Sequence, residues 1–220
     1  MASDVFLSVG QTWTEEQETF VGSLESLLEA NGLTPRTVGR TDFSASAPLK
    51  RIVELMETTS GTLVCAFERT RSEVMVEKFG SDFERPTRDI KLPTVWNQIE
   101  AAMTYTRKQP LLVVVERGLK IEGLLAESYD WYVLTVDVSG TSLQSKEAHA
   151  VVSDWSQKVR LYNASGARTD QSSLDATKLT VKDLVTRLPV GQAWAVLAAL
   201  LVLVAAVATI AYQAGQASVG

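Results

Sequence analysis

Short apolar runs alternate along this chain with longer stretches in which apolar residues recur at helical spacing. Residues 4–9 (DVFLSV) are a short β-prone run. Residues 15–30 follow, with Phe20, Val21, Leu24, Leu27 and Leu28 on one helix face, Thr14 placed to cap it and Gln17 at the capping-box position. Asn31-Gly32 stops that helix, and residues 33–38 read as a second strand. Pro48 opens a helix over residues 49–57 that ends near Gly61. Residues 62–67 are continuously apolar, as in a strand buried on both faces. Residues 68–92 are polar without clear periodicity, a length at which a segment inside a compact domain is a functional lid or disordered. Pro93 starts a helix through about residue 108, and Pro110 precedes residues 111–116, the most strand-like stretch of the chain. A short helix over residues 121–126 leads to a fifth strand at residues 131–136. Residues 143–161 form a closing helix with Ala148, Val152, Trp155 and Val159 along one side.

This repeated β-α-β order with apolar central strands predicts an α/β fold, a five-stranded, mostly parallel sheet with helices on both faces. Beyond it the pattern changes. Residues 163–178 are rich in Ser, Asp, Ala and Gly and read as a linker, and residues 180–188 as a short helix at a membrane surface. Residues 193–212 (AWAVLAALLVLVAAVATIAY) carry no charge. About twenty residues at ~1.5 Å each match a hydrocarbon core of ~30 Å. Trp194 and Tyr212 bracket the run at the two expected interfaces, and Ala195, Ala199, Ala205 and Thr209 are small residues spaced for close helix approach. Lys178, Lys182 and Arg187 precede the span and nothing basic follows it, so the positive-inside rule places the N-terminal domain in the cytoplasm. The expected organisation is an α/β domain over residues 1–161, a polar linker and juxtamembrane segment over 162–189, a transmembrane helix over 190–213 and a short extracytoplasmic tail over 214–220. The N-terminus lacks the basic region and long apolar run of a signal peptide.

Charge narrows the function classes. The formal net charge is −5 with no long basic run, which argues against a nucleic-acid partner, because tracking phosphates needs clustered Lys and Arg. The lone Cys65 cannot form an internal disulfide and sits in an apolar run, where it reads as a small buried hydrophobe. His149 is the only histidine, no metal-ligand spacing is present, and no Gly-rich phosphate loop occurs. No bound cofactor is expected.

Two motifs carry more. Asp4-Val5-Phe6-Leu7-Ser8 resembles the first signature box of Toll/interleukin receptor (TIR) domains, and Trp96-Asn97-Gln98-Ile99-Glu100 resembles their W-x-x-x-E pattern. Between them come an amphipathic helix ending at Gly32, a loop with Asp42 and Phe43, a helix through Ile52 to Met56 and a third apolar strand. The likeness spans roughly residues 4–160 in element order. It implies a flavodoxin-like fold, distantly related to that of nucleoside deoxyribosyltransferases, which place a glutamate in a comparable site. It also implies Glu100 as the catalytic carboxylate for cleaving the glycosidic bond of NAD, with NAD as substrate. Ser8, Gly10, Asp42, Phe43 and Trp96 would be lining residues, and the domain would self-associate.

Residues four apart on a helix share a face, so spacing alone sets Trp96 beside Glu100. The bland reading is that Trp96 packs on the sheet with Ile99 and Met103 and Glu100 is solvated. The family's basic residue after the box-one serine is missing, since Val9-Gly10-Gln11-Thr12 stands there, leaving Arg36, Arg40, Arg69 or Arg71 to supply a cation from neighbouring loops. Gly10 would let a ligand approach the backbone closely. The residues Tyr129-Asp130-Trp131-Tyr132 are placed to line the site or to pack in the core. A nucleotide-cleaving enzyme, a non-catalytic nucleotide sensor that perturbs the membrane through its span, and an adaptor acting by domain contact all remain open.

Overall fold

The computed structural model describes residues 2–45, 47–127, 130–139 and 141–166. The expected linker beyond residue 166, the transmembrane span and the tail lie outside the described residues. Among the described residues no helix is long and apolar enough to cross a membrane.

Five strands form one sheet: β1 (Ser3–Val9), β2 (Leu33–Arg36), β3 (Thr62–Ala66), β6 (Leu111–Glu116) and β7 (Tyr132–Val136). Their spatial order is β2-β1-β3-β6-β7, with every neighbour parallel. Pro35 lies in β2 at the sheet edge, where its missing N–H breaks no inner ladder. Helices α1 (Glu15–Ala30) and α4 (Lys146–Ala164) cover one face, and α2 (Pro48–Thr58) and α3 (Val95–Thr106) the other. Successive side chains of a strand point to opposite faces. Val5 and Leu7 of β1 therefore join Phe20, Leu24, Val152 and Trp155 in one core, while Phe6 meets Ile52, Leu55 and Met56 in another. Val64, Ala66, Val113 and Val115 form a third core under Ala101 of α3.

Local chemistry sets the element ends. The Thr14 side chain accepts from the Gln17 backbone N–H, and the Gln17 side chain accepts from the Trp13 N–H, closing a box one residue wider than expected. Ser145 caps α4 by accepting from Ala148 N–H, and that helix runs to Ala164, so Asn163 is helical rather than linker. The helix expected over residues 121–126 is one 3-10 turn, Gly123–Leu125, which opens on Gly123 at φ 55°.

The largest departure is at residues 68–92, which are ordered and carry regular structure. They form an antiparallel ribbon, β4 (Thr70–Glu77) with β5 (Arg85–Leu92). Val74 and Val76 lie on one ribbon face across from Arg88 and Pro86, while Arg71 and Glu77 on the other lie across from Lys91 and Arg85. Nearly all of its side chains are exposed or half-exposed, so hydrophobicity has no inside and outside to alternate between. Lys91 pairs with Glu68 and Glu116, Lys120 pairs with Glu77, and the Lys120 N–H donates to Lys91 O at 2.8 Å. These contacts tie the ribbon to the sheet.

Candidate functional site

In a sheet of this order the connections leave in opposite directions from β1 and β3, opening a crevice at their carboxyl ends. A cavity of about 230 Å3 lies there, bordered by Gly10, Phe67, Arg69, Trp96, Asn97 and Glu100, with Val38, Pro48 and Ile52 on its far wall. Helix α3 supplies its buried polar residues, Asn97 and Glu100. Thr94 caps α3 by accepting from the Trp96 N–H, and the face turned to the sheet carries Asn97, Glu100, Ala101 and Thr104. That is ordinary amphipathic spacing with three polar residues, Asn97, Glu100 and Thr104, where apolar ones belong.

Glu100 is 7 % exposed. Its Oε2 accepts a hydrogen bond from the buried Ser8 hydroxyl. The Asn97 Nδ2 donates to Ser8 Oγ at 3.3 Å and to the Cys65 carbonyl at 3.4 Å. Burial pushes the Glu100 carboxyl up to about 7, with the Ser8 hydroxyl pulling the other way. Near neutral pH the group therefore exists in both protonation states. Cys65 is buried, and desolvation raises its thiol far above the range in which it would react.

Gly10, Trp96 and Glu100 thus border one cavity, while Ser8 does not line it but lies buried and donates to Glu100, 92 positions away in sequence. Trp96 stands at the rim, 42 % exposed, so it is not packed into the core with Ile99 and Met103. A side chain at Gly10 would meet Thr94 Cγ2 at 3.6 Å, an ordinary contact, so the fold does not demand glycine there.

Asp42 and Phe43 do not line the cavity. Asp42 is buried and paired with Arg36 at 2.5 Å and with Arg51. Burial would raise its carboxyl, yet the two guanidiniums hold it below the usual carboxylate range. Its work is to tie β2 to α2. Phe43 is 78 % exposed. Asp130, Trp131 and Tyr132 are also elsewhere, because they sit at the start of β7, and the start of a parallel strand faces away from the crevice at the carboxyl ends. They border a groove of about 1020 Å3 with Tyr105 and Trp155.

The four candidate cations separate clearly. Arg36 pairs with Asp4 and Asp42, Arg40 with Glu18 and Glu25, and Arg71 with Glu68 and Asp89. Arg69 instead borders the cavity with its guanidinium 4.5 Å from the centre of the exposed Trp13 ring, a cation–π contact that leaves its charge available at the rim. Asn97 is the residue that sequence reasoning missed. An asparagine at a buried helix position, three before a buried glutamate, was the signal available.

No protein-family model matches the chain, and no curated protein matches it. Among solved structures, it is similar to a 2-deoxyribosyltransferase from the psychrotolerant bacterium Bacillus psychrosaccharolyticus at 11 % identity and a TM-score of 0.37, over 59 % of this chain and 85 % of that one. It is also similar to a diflavin flavoprotein A3 from Nostoc sp. at 11 % identity and a TM-score of 0.39, over 74 % of this chain and 96 % of that one.

Proposed function

We propose that this chain is a TIR-like, membrane-anchored enzyme that cleaves the N-glycosidic bond of NAD or a related nucleotide in immune or stress signalling. One observation carries the reading: a glutamate buried at the carboxyl-end crevice of a parallel α/β sheet, held by a serine hydroxyl, with its carboxyl pushed up to about 7. Breaking the bond between the ribose anomeric carbon and nicotinamide leaves an oxocarbenium-like carbon. An adjacent carboxylate in a low-dielectric site stabilises that charge far better than water does. Water then adds to the carbon and gives up a proton, yielding nicotinamide and the free sugar hydroxyl. The Ser8 O–H fixes one carboxylate oxygen and so orients the other. At about 230 Å3 the cavity is smaller than the roughly 300–1,000 Å3 of common ligand sites, so it suits the nicotinamide riboside end. The phosphates would lie over the rim, at Arg69.

A second reading uses the same site. Because Glu100 is only partly ionised near neutral pH and one of its oxygens is already engaged by Ser8, it serves equally as a ligand contact in a non-catalytic sensor. Nicotinamide release from NAD by the full-length protein, with and without induced clustering, separates the two. The enzyme reading expects release by wild type and a fall of about two to three orders of magnitude in Glu100→Gln, a loss of a few kcal/mol of transition-state stabilisation. Binding without release at any degree of clustering supports the sensor. Neither binding nor release leaves an adaptor acting through domain contacts.

A further inference from the structure

The Asn97 side chain is buried, yet its Oδ1 has no hydrogen-bond partner among the described residues. The amide orientation is not free to correct this. Turning it over would set Oδ1 against the Cys65 carbonyl oxygen, acceptor against acceptor, and would deprive Ser8 Oγ of its donor. Oδ1 is therefore held as an orphan acceptor on a residue that borders the cavity. A buried acceptor without a donor is disfavoured enough that it needs an occupant, whether protein, water or ligand.

The neighbouring group is also an acceptor. Glu100 follows Asn97 by three residues on α3, so both project from the same helix face, and Ser8 bridges them by accepting from Asn97 and donating to Glu100. Two adjacent acceptors with one shared donor already consumed call for a ligand that brings two adjacent donors. Two hydroxyls on neighbouring carbons bring one donor for each acceptor, and a ribose presents such a pair. We infer that Asn97 and Glu100 form a receptor for a vicinal diol, with Asn97 Oδ1 accepting from one ribose hydroxyl and the Glu100 carboxylate from the other. Asn97 is then a specificity-determining residue that selects ribose over deoxyribose. This rests on the nucleoside-binding reading of the cavity, and not on catalysis.

The test uses the full-length protein and carbocyclic nicotinamide riboside, in which a methylene replaces the ring oxygen. No oxocarbenium ion can form, so binding is read apart from turnover. Affinities are measured for this probe and for its 2′-deoxy and 3′-deoxy forms. Wild type is expected to bind the diol at least about tenfold more tightly than either deoxy form. Asn97→Ala should lose about the same factor for the diol and erase one of the two contrasts to within about twofold, leaving the other. Equal binding of all three probes by wild type overturns the inference, as does no binding of the diol or two contrasts that survive Asn97→Ala. Should Asn97→Ala show no cooperative unfolding transition, the wild-type comparison decides alone. Discrimination among the probes together with no nicotinamide release from NAD removes the glycosidase reading and keeps the diol receptor. Release without discrimination does the reverse.

Discussion

Glu100 is the residue at which the local chemistry departs most from habit, and it makes a stability prediction independent of any ligand. Its folded value of about 7 stands above the ordinary 4.5, so the native state binds the extra proton and the unfolded chain does not. Its stabilising contribution is complete below about pH 4.5 and is lost as pH rises through about 7. Glu68, the other carboxylate at the cavity, is held down to about 2 by Arg71 and Lys91 and does not titrate in that window. Thermal unfolding should therefore show wild type losing ground to Glu100→Gln between pH 5 and 8, by on the order of 3 kcal/mol. Parallel curves for the two proteins would contradict the buried, partly neutral carboxyl. Any Glu100-dependent turnover should rise with pH through about 7, because the ionised form stabilises the developing positive charge. Asp42 behaves differently. Asp42→Ala leaves Arg36 and Arg51 without their shared carboxylate, and since both arginines are partly solvated the loss should be about 1–3 kcal/mol in denaturant unfolding. Nucleotide affinity measured on the folded variant at low temperature should stay within a few-fold.

At the scale of elements, the sheet faces were legible because buried strands and amphipathic helices write their environment into period and composition. The run at residues 62–67 and the α1 stripe are cases in point, and both appear as β3 and α1. The ribbon was not legible, since a two-stranded element exposed on both faces carries no such record. Of the described glycines, the one with the least room for a side chain is Gly61, just before β3. A Cβ there would fall 2.7 Å from Val159 Cγ2 on α4 and 3.1 Å from the Pro110 carbonyl oxygen. Gly61→Ala must push α4 off the sheet and should lower stability by about 1–3 kcal/mol, read as an earlier unfolding midpoint. Gly22 on α1, where an added Cβ would meet nothing within 4 Å, is the control expected to gain slightly on the same change.

For the whole molecule, every buried hydrophobic residue among those described lies between Val5 and Val159, so the α/β domain holds its core within its own sequence. A chain ended after Lys178 should unfold cooperatively at close to the midpoint of the same domain in the full-length protein. The full chain is expected to fractionate with membranes and to resist carbonate extraction, through the uncharged run at residues 193–212. Its recovery without detergent in a soluble fraction would sink the anchor. A reporter at Gly220 that works only outside the cytoplasm tests the orientation that Lys178, Lys182 and Arg187 imply.

The sequence by itself determined what is written in local period and composition: the order of the five sheet strands and the four long helices, the parallel sheet that this order requires, and the apolar C-terminal run. It also brought Ser8 and Glu100 forward as candidates, but only through resemblance of short motifs. Tertiary structure alone decided which candidates meet. Ser8 reaches Glu100 because β1 and α3 are brought together at the crevice beside β3. Asp42 leaves the site because Arg36 and Arg51 enclose it from two different elements. Arg69 is set apart from three other arginines by having no ion pair among the described residues and by the presence of Trp13. The reason is the range of the forces. Helical and strand periods act over a few residues, whereas desolvation, ion pairing and an unfilled acceptor depend on neighbours that the chain supplies from far along its length.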